Sequence, residues 1–480
     1  MNAAGDLPAF ASLPLPPELI QNLASLGYAG MTPIQAKSLP LILSGQDVIG
    51  QAKTGSGKTA AFGLALLTKL ERKDFRVQAL ILCPTRELAD QVANAIRELA
   101  RAIPNVKVST LCGGMPFGPQ AAALEHGAQI VVGTPGRVAD HLRKDTLKLG
   151  NVGTLVLDEA DRMLEMGFQE ELDAVIDATP AQRQTLLFSA TFPAAIEAVA
   201  RRIMRDAERI TTVATHDSAT INQYFYKVEE SVRFDALRVL LLAHRPESAV
   251  VFCSTKKDTQ ELAESLRQCR FSALAIHGDL EQRDRDRTLV RFANKSVAVL
   301  VATDVAARGL DIDALDAVVN YQIASDPEVH VHRIGRTGRA GSKGVAFTLY
   351  RDDERYKVDR LGEYLDLVIE TDDLPPESLL QEKPAQPAMA TLQVDGGKKQ
   401  KLRPGDILGA LTGKNGIEGG QVGKINTFAD CSYVAVNRDV AGTALEKLGN
   451  GKLKGRSFKV RRIEGQPTNS RRIARRRPRQ

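Results

Sequence analysis

Through the first 370 residues, short apolar runs alternate with longer stretches whose apolar positions recur every three to four residues. QALILC, QIVVG, TLVLDEA and QTLLFSAT, then AVVFCST, VAVLVATD and AVVNY, read as strands buried on both faces, and the stretches between them as amphipathic helices. This alternation predicts parallel sheets covered on both sides by helices. The periodicity lapses over 207–217, AERITTVATHD, which predicts a linker between two α/β domains of similar size, 1–206 and 218–370. A second interruption, LPPESLLQEKPAQPA, is rich in Pro, Gln and Glu and has no core pattern, so 374–389 is expected to be a semi-rigid tether. Beyond it TLQV, DILGALTG, VGKINTF, CSYVAV, VAGTALEKLGN and SFKVRRI predict the order β-α-β-β-α-β over 390–464, a four-stranded sheet with two helices. The remaining 465–480 carries six arginines and no acidic residue, which predicts a basic disordered tail.

Charge sharpens this division. The net charge is +6, but residues 390–480 hold 20 Lys/Arg against 7 Asp/Glu, or +13, which leaves about −7 for the first 389 residues. A mildly acidic body with a basic end points to a polyanion partner at the C-terminal side, although a solvated basic tail is the alternative. The five cysteines, Cys83, Cys112, Cys253, Cys269 and Cys431, are scattered without a CxxC pair and read as reduced core residues. No long uncharged apolar stretch occurs and MNAAGDLPAF lacks the build of a signal peptide, so a cytoplasmic protein without a membrane partner is expected.

Two stretches carry candidate chemistry. AKTGSGKT, Ala52 to Thr59, follows the strand-like VIGQ and precedes the helix-like AAFGLALLTKL. Its glycines let backbone N–H groups wrap phosphates, Lys58 can reach the terminal phosphates, and the Thr59 hydroxyl can ligand Mg²⁺. VLDEADRML places Asp158, Glu159 and Asp161 at the end of an apolar run. Alone, those carboxylates would suit a helix's first turn. Beside a phosphate loop, Asp158 is the second Mg²⁺-binding position, Glu159 the group that orients and deprotonates water, and Asp161 a contact across the site.

Together DEAD, Asp158 to Asp161, and AKTGSGKT resemble the DEAD-box RNA helicases, and further blocks occur in that family's order over about 10–350. The resemblance implies two tandem RecA-like domains, ATP and Mg²⁺ as cofactors, and RNA as partner. ATP would be held by Ala52, Lys53, Thr54, Gly55, Ser56, Gly57, Lys58 and Thr59. In GYAGMTPIQ it implies that Gln35 bonds the adenine and Tyr28 stacks on it, with Phe10 as the upstream aromatic. PTRELA (Pro84, Thr85, Arg86), the Gly113-Gly114 pair and TPGR (Thr134, Gly136, Arg137) would hold the RNA backbone, and SAT (Ser189 to Thr191) would couple hydrolysis to strand separation. In the second domain Gly278, Gln282, Arg285 and Thr303 would lie near RNA phosphates and Asp311 near the nucleotide's ribose. HRIGRTGR would supply His332 and the arginine fingers Arg336 and Arg339.

The C-terminal order is similar to an RNA recognition motif, an α+β fold, with Tyr433 at one aromatic position but Cys431 and Val436 where such modules have aromatics. A ferredoxin-like protein-contact domain is the alternative. LQVDGGKKQKLRPGDILGALTG and DPEVHVHRIGR resemble the DbpA-type subgroup, whose module recognises a hairpin of large-subunit ribosomal RNA. That resemblance implies a helicase acting in large-subunit assembly on 23S rRNA or pre-ribosomal particles, with Lys398, Lys399, Lys401, Arg403, Lys452, Lys454 and Arg456 as RNA contacts. Two rival readings compete: another phosphate-loop motor such as a DNA translocase, against which Gln35 and DEAD argue, and an RNA chaperone in which ATP acts as a clamp and hydrolysis serves release.

Overall fold

The computed structural model describes residues 8–52, 56–189, 191–211, 221–307, 315–338, 344–414 and 416–465. It separates into two compact units, Met1–His216 and Asp217–Gln480.

The first unit is built on β1 (Val48–Gln51), β2 (Ala79–Leu82), β3 (Val108–Leu111), β4 (Ile130–Gly133), β5 (Thr154–Asp158), β6 (Gln184–Ser189) and β7 (Glu208–Thr211). They pair in parallel in the order β3-β4-β2-β5-β6-β1-β7. Because successive strand residues face opposite ways, Ile81, Val156 and Leu186 enter one core with Phe62 and Ile96, while Leu80, Leu82, Leu155 and Leu187 enter the other with Val138 and Val175. Both faces are thus roofed by helices, as the unbroken apolar runs require.

One boundary needs correction. The expected linker over 207–217 begins with β7, which closes this sheet against β1. In Glu-Arg-Ile-Thr only Ile210 is buried, so a charged edge strand reads like a loop. Residues 212–217 lie outside the described residues.

The second unit begins with β8 (Ile221–Lys227), β9 (Ala249–Cys253), β10 (Ala273–Ile276), β11 (Val299–Thr303), β12 (Ala317–Asn320) and β13 (Gly344–Tyr350), all parallel in the order β10-β11-β9-β12-β13-β8. The expected tether is strapped to this domain rather than held away from it. Its one short helix, Glu377–Gln381, lays Leu379 and Leu380 against the core beside helix Arg233–His244. Glu382 then pairs with Arg245, and the Gln386 amide donates to the Arg270 carbonyl at 3.4 Å.

The C-terminal module has the expected order, with β14 (Met389–Val394), β15 (Val422–Thr427), β16 (Ser432–Asn437) and β17 (Val460–Arg462) antiparallel as β15-β16-β14-β17. Leu392, Val394, Val434 and Val436 face its two helices, Pro404–Thr412 and Ala441–Asn450, and pack on Ile407, Leu411, Ala444 and Leu448. The residues between them must point the other way. That face lies against helix Gln282–Ala293 of the preceding domain: Tyr433 and Ile463 enclose Val290, the Thr391 hydroxyl meets Ser296 Oγ at 2.7 Å and accepts from Asn294 at 3.3 Å, and Arg291 bonds the Gly465 carbonyl. Among the described residues no helix is long and apolar enough to cross a membrane.

Candidate functional site

In the first unit β1 and β5 flank β6, so the phosphate loop after β1, the carboxylates at the end of β5 and Ser189 at the end of β6 share one edge of the sheet. Crevices at the carboxyl ends of parallel strands are where such sheets hold ligands. Lys58 opens helix Lys58–Lys69, is buried, and donates from Nζ to the Ala52 carbonyl at 3.0 Å, across the loop it belongs to. Thr59 beside it is half-buried. Gly57 takes φ +94°, and a Cβ there would lie 2.5 Å from the Gln35 amide nitrogen, so the turn requires glycine. Lys53, Thr54 and Gly55 lie outside the described residues.

Gln35, expected at the adenine, also braces this loop. Its Nε2 donates to the Gly57 carbonyl at 3.0 Å while its Oε1 accepts from the Thr32 N–H at 2.9 Å, and the Thr32 hydroxyl donates to the Ser56 carbonyl at 2.8 Å. The helix cap of Pro33–Leu43 is therefore bonded directly to Ser56 and Gly57 of the phosphate loop. Phe10 is buried and meets the more exposed Tyr28 edge-on, ring centroids 6.1 Å apart.

Asp158 is only 3 % exposed, and its Oδ1 has no hydrogen-bond partner among the described residues. Burial pushes its pKa up to about 6, against the opposing charge of Lys58. A buried carboxylate oxygen without a donor fits a cation better than it fits a dry core. Thr59, and Asp158 through water, would then hold Mg²⁺. Glu159 turns the corner from β5 into helix Ala160–Glu165 at φ 53°, ψ 52°, a left-handed conformation that costs a non-glycine residue about 1–2 kcal/mol. Asp161 is the contact across the site: its Oδ2 accepts from the Thr191 N–H at 3.0 Å and hydroxyl at 2.9 Å, and its own N–H reaches Ser189 Oγ at 3.3 Å. DEAD and SAT are thus joined by direct bonds.

The other half of the same sheet edge gathers the backbone-contact candidates after β2, β3 and β4. Pro84 precedes Thr85, whose hydroxyl caps helix Arg86–Leu99 by accepting from the Leu88 N–H. Arg86 lies over the Gly113-Gly114 turn so closely that a Cβ on Gly114, at φ +73°, would fall 1.9 Å from its guanidinium. Thr134 leads into helix Pro135–Arg143, where Gly136 has open space in front of it and Arg137 is held by the Met115 carbonyl at 2.9 Å and Gln120 Oε1 at 3.0 Å.

In the second unit Thr303 ends β11, Gly278 follows β10, and Gln282 and Arg285 lie on the first turn of helix Gln282–Ala293. Gln282 bonds Asp286 at 2.8 Å and Arg285 approaches the Ala306 carbonyl at 3.4 Å. His332 is half-buried at the end of helix Pro327–Ile334 and Arg336 is buried just beyond it. Asp311 and Arg339 lie outside the described residues. Sequence reasoning passed over Arg333, which anchors the arginine segment: it is bidentate to Asp304 at 2.6 and 2.8 Å and also donates to Asn320 and the Gln322 carbonyl. It also missed Gln120, His141 and Asp304, each of which has meaning only through a partner distant in the chain.

The module divides its candidates. Lys398, Lys399, Lys401, Arg403, Lys452, Lys454 and Arg456 are all exposed, and Lys454 Nζ joins their two loops by bonding the Lys401 carbonyl at 2.8 Å and Asp406 at 3.1 Å. Tyr433 does not join them. It is 3 % exposed beneath Val290, edge-on to Phe428, and burial raises its pKa, so its ring is not presented to a base in this arrangement. Its place in the recognition-motif pattern says nothing about what covers that face.

Family models match three parts of the chain: DEAD/DEAH box helicase over 32–199, helicase conserved C-terminal domain over 232–341, and DbpA RNA binding domain over 391–462. The chain is 53% identical to the ATP-dependent RNA helicase DbpA of Escherichia coli over 95% of its length and 100% of that protein's. It is 44% identical to the DEAD-box ATP-dependent RNA helicase CshA of Bacillus subtilis, over 72% of this chain and 70% of that one. Among solved structures it is similar to S. cerevisiae Dbp5 bound to RNA and ADP BeF3, at 32% identity and TM-score 0.69, covering 76% of this chain and 95% of that one. Mss116p bound to ssRNA and AMP-PNP matches at 29% identity and TM-score 0.68, covering 76% of this chain and 78% of that one.

Proposed function

Because the chain belongs to the DbpA-type DEAD-box ATP-dependent RNA helicases, two RecA-like domains followed by an RNA-binding module, we propose that its RNA-stimulated ATPase is aimed by the module at a hairpin of large-subunit ribosomal RNA during subunit assembly. In this reading Gln35 bonds the adenine and Tyr28 stacks on it, with Phe10 as the upstream aromatic behind Tyr28, and the phosphates are held by the loop Ala52 to Thr59. Glu159 orients a water for attack on the γ-phosphorus and takes its proton, and ADP leaves with the bridging oxygen. Mg²⁺ on Thr59 and Asp158 neutralises phosphate charge when bound. Arg336 and Arg339 stabilise charge on the transferring group, and Asp311 binds the ribose. The bond from Asp161 to Thr191 carries the state of the nucleotide toward the RNA-holding residues.

The RNA strand is held by Pro84, Thr85, Arg86, Gly114, Thr134, Gly136 and Arg137 of the first domain and by Gly278, Gln282, Arg285 and Thr303 of the second. These are amides, hydroxyls and arginines, which grip phosphate and sugar without reading bases. Choice of target therefore falls to the module. The observation that carries this reading is the meeting of two exposed basic loops, 398–403 and 452–456, through Lys454, on a module whose sheet face is already occupied.

The test compares RNA activation constants for a 23S hairpin and a scrambled hairpin, using the full chain and a chain ending at Gln386. The cut is placed there because Leu379 and Leu380 belong to the second domain's core. The full chain should prefer the ribosomal hairpin by at least a hundredfold, and the shortened chain should treat both alike. A tenfold preference surviving in the shortened chain would locate selectivity in the helicase core and overturn the assignment.

A further inference from the structure

Arg137 does not stand alone. The helix Pro135–Arg143 carries Arg137 and His141 four residues apart, hence on one face. Both reach the same atom: Arg137 Nη1 donates to Gln120 Oε1 at 3.0 Å, and His141 Nε2 lies 3.1 Å from it. The orientation of Gln120 is set from its other end, where Nε2 donates to the Cys112 carbonyl at 3.0 Å, next to the Gly113-Gly114 turn. With its oxygen aimed at both neighbours, Gln120 can only accept, so His141 must carry a proton on Nε2. Nδ1 meets the Thr146 hydroxyl at 2.8 Å. Phe117 stacks on the imidazole, centroids 4.1 Å apart and nearly parallel, and its ring also receives Lys144 at 4.2 Å and Arg137 at 6.0 Å. Burial, then the charge of Arg137, holds the imidazole below its ordinary pKa, which favours the neutral ring.

We propose that His141 and Gln120 are positioning residues for RNA-backbone binding, forming a fixed relay from the Gly113-Gly114 turn to Arg137. The proposal rests on Arg137 being a strand contact. Both bonds are made by Nη1, while Asp140 Oδ2 lies 3.8 Å from Nε, and a long side chain fixed in advance loses less freedom when a phosphate arrives. The same bonds tie the helix bearing TPGR to the segment bearing the glycine pair, so the two elements that would grip neighbouring phosphates share one rigid element. Neither Gln120 nor His141 needs to touch RNA for this. Their contribution is spent on RNA binding rather than on the chemical step.

The test is a double-mutant cycle in the full chain, read as the RNA concentration giving half-maximal ATPase and, separately, as kcat at saturating RNA. Gln120→Leu should raise the activation constant about tenfold, with most of the effect there rather than in kcat. In an Arg137→Ala background the same substitution should add less than twofold, because a brace has no effect once the braced group is gone. His141→Gln, whose amide can occupy the Nε2 position, should stay within threefold of the parent, whereas His141→Asn, which reaches only the Nδ1 position, should lose fivefold or more. The relay is overturned if Gln120→Leu costs the same factor with and without Arg137, or if the two His141 variants behave alike. If Arg137→Ala alone leaves the activation constant unchanged, the strand-contact reading itself fails, and the cycle separates that outcome from a failure of the brace.

Discussion

The phosphate loop of the first domain and the basic loops of the C-terminal module are both proposed to meet polyanions, yet they are built in opposite ways. Around Asp158 the ligand-facing groups are buried and joined by direct bonds: Lys58 to Ala52, Gln35 to Gly57, Asp161 to Thr191. Around Lys454 they are exposed and cationic, with two loops joined by one ammonium group. In the first setting each interaction acts at low dielectric, and removing one group leaves others unsatisfied. In the second, water and salt screen each charge, and affinity accumulates from many small contributions. The first arrangement suits a reaction that needs fixed geometry, and the second a partner whose approach must be favoured over a broad surface.

The largest break in this contrast should come from Glu159→Gln. The substitution keeps the shape at the left-handed corner after β5 but removes the proton acceptor, so steady-state ATPase should fall by about 10²-fold or more while ATP and RNA still bind. Turnover within threefold of the parent, measured with saturating ATP and RNA, would show that the attacking water is activated by another group.

The contrast also explains what the sequence could show. AKTGSGKT and DEAD are legible because their chemistry needs contiguous residues in a fixed order, and the strands that carry them are unbroken apolar runs. The module's β-α-β-β-α-β order is legible because its apolar runs are short and separated by Gly-, Asp- and Lys-containing turns. Legibility ends where meaning depends on a partner far along the chain. Arg333 looks like one basic residue among several until Asp304 is placed against it, and Gln120 carries no signal without His141 and Arg137. β7 was hidden by its own exposure, because three of its four residues are exposed. Tyr433 stands where the recognition-motif pattern puts an aromatic, but a strand's pattern cannot tell solvent from the helix Gln282–Ala293 of another domain.

A middle-sized effect should follow from thinning the basic loops. Lys452→Gln with Arg456→Gln removes two exposed charges without touching the Lys454 bonds that join the loops. The activation constant for a ribosomal hairpin should rise about tenfold at moderate salt, and the slope of log affinity against log salt should flatten by about 1.4, or 0.7 for each lost single-strand phosphate contact. An unchanged slope would mean these cations meet no phosphate, and the module's RNA surface would have to be sought elsewhere.

The smallest expected effect is the most discriminating. Tyr433→Leu keeps an apolar side chain against Val290 and Ile463 but removes the ring. If the sheet face serves to dock the module on the second domain, the substitution leaves RNA discrimination within twofold and shows itself as a loss of stability of about 1–3 kcal/mol, because the smaller side chain leaves part of the ring's space unfilled. Stacking a base on the ring would be worth about 1–3 kcal/mol, which is roughly a 5- to 150-fold weakening of RNA activation when the ring is lost. The two outcomes do not overlap. A fivefold or greater loss, with the thermal unfolding midpoint unchanged, would mean that the module leaves its place on helix Gln282–Ala293 to bind RNA through its sheet. Retention within twofold, together with the tenfold loss from the loop charges, would locate recognition on the loops and leave Tyr433 a structural contact between domains.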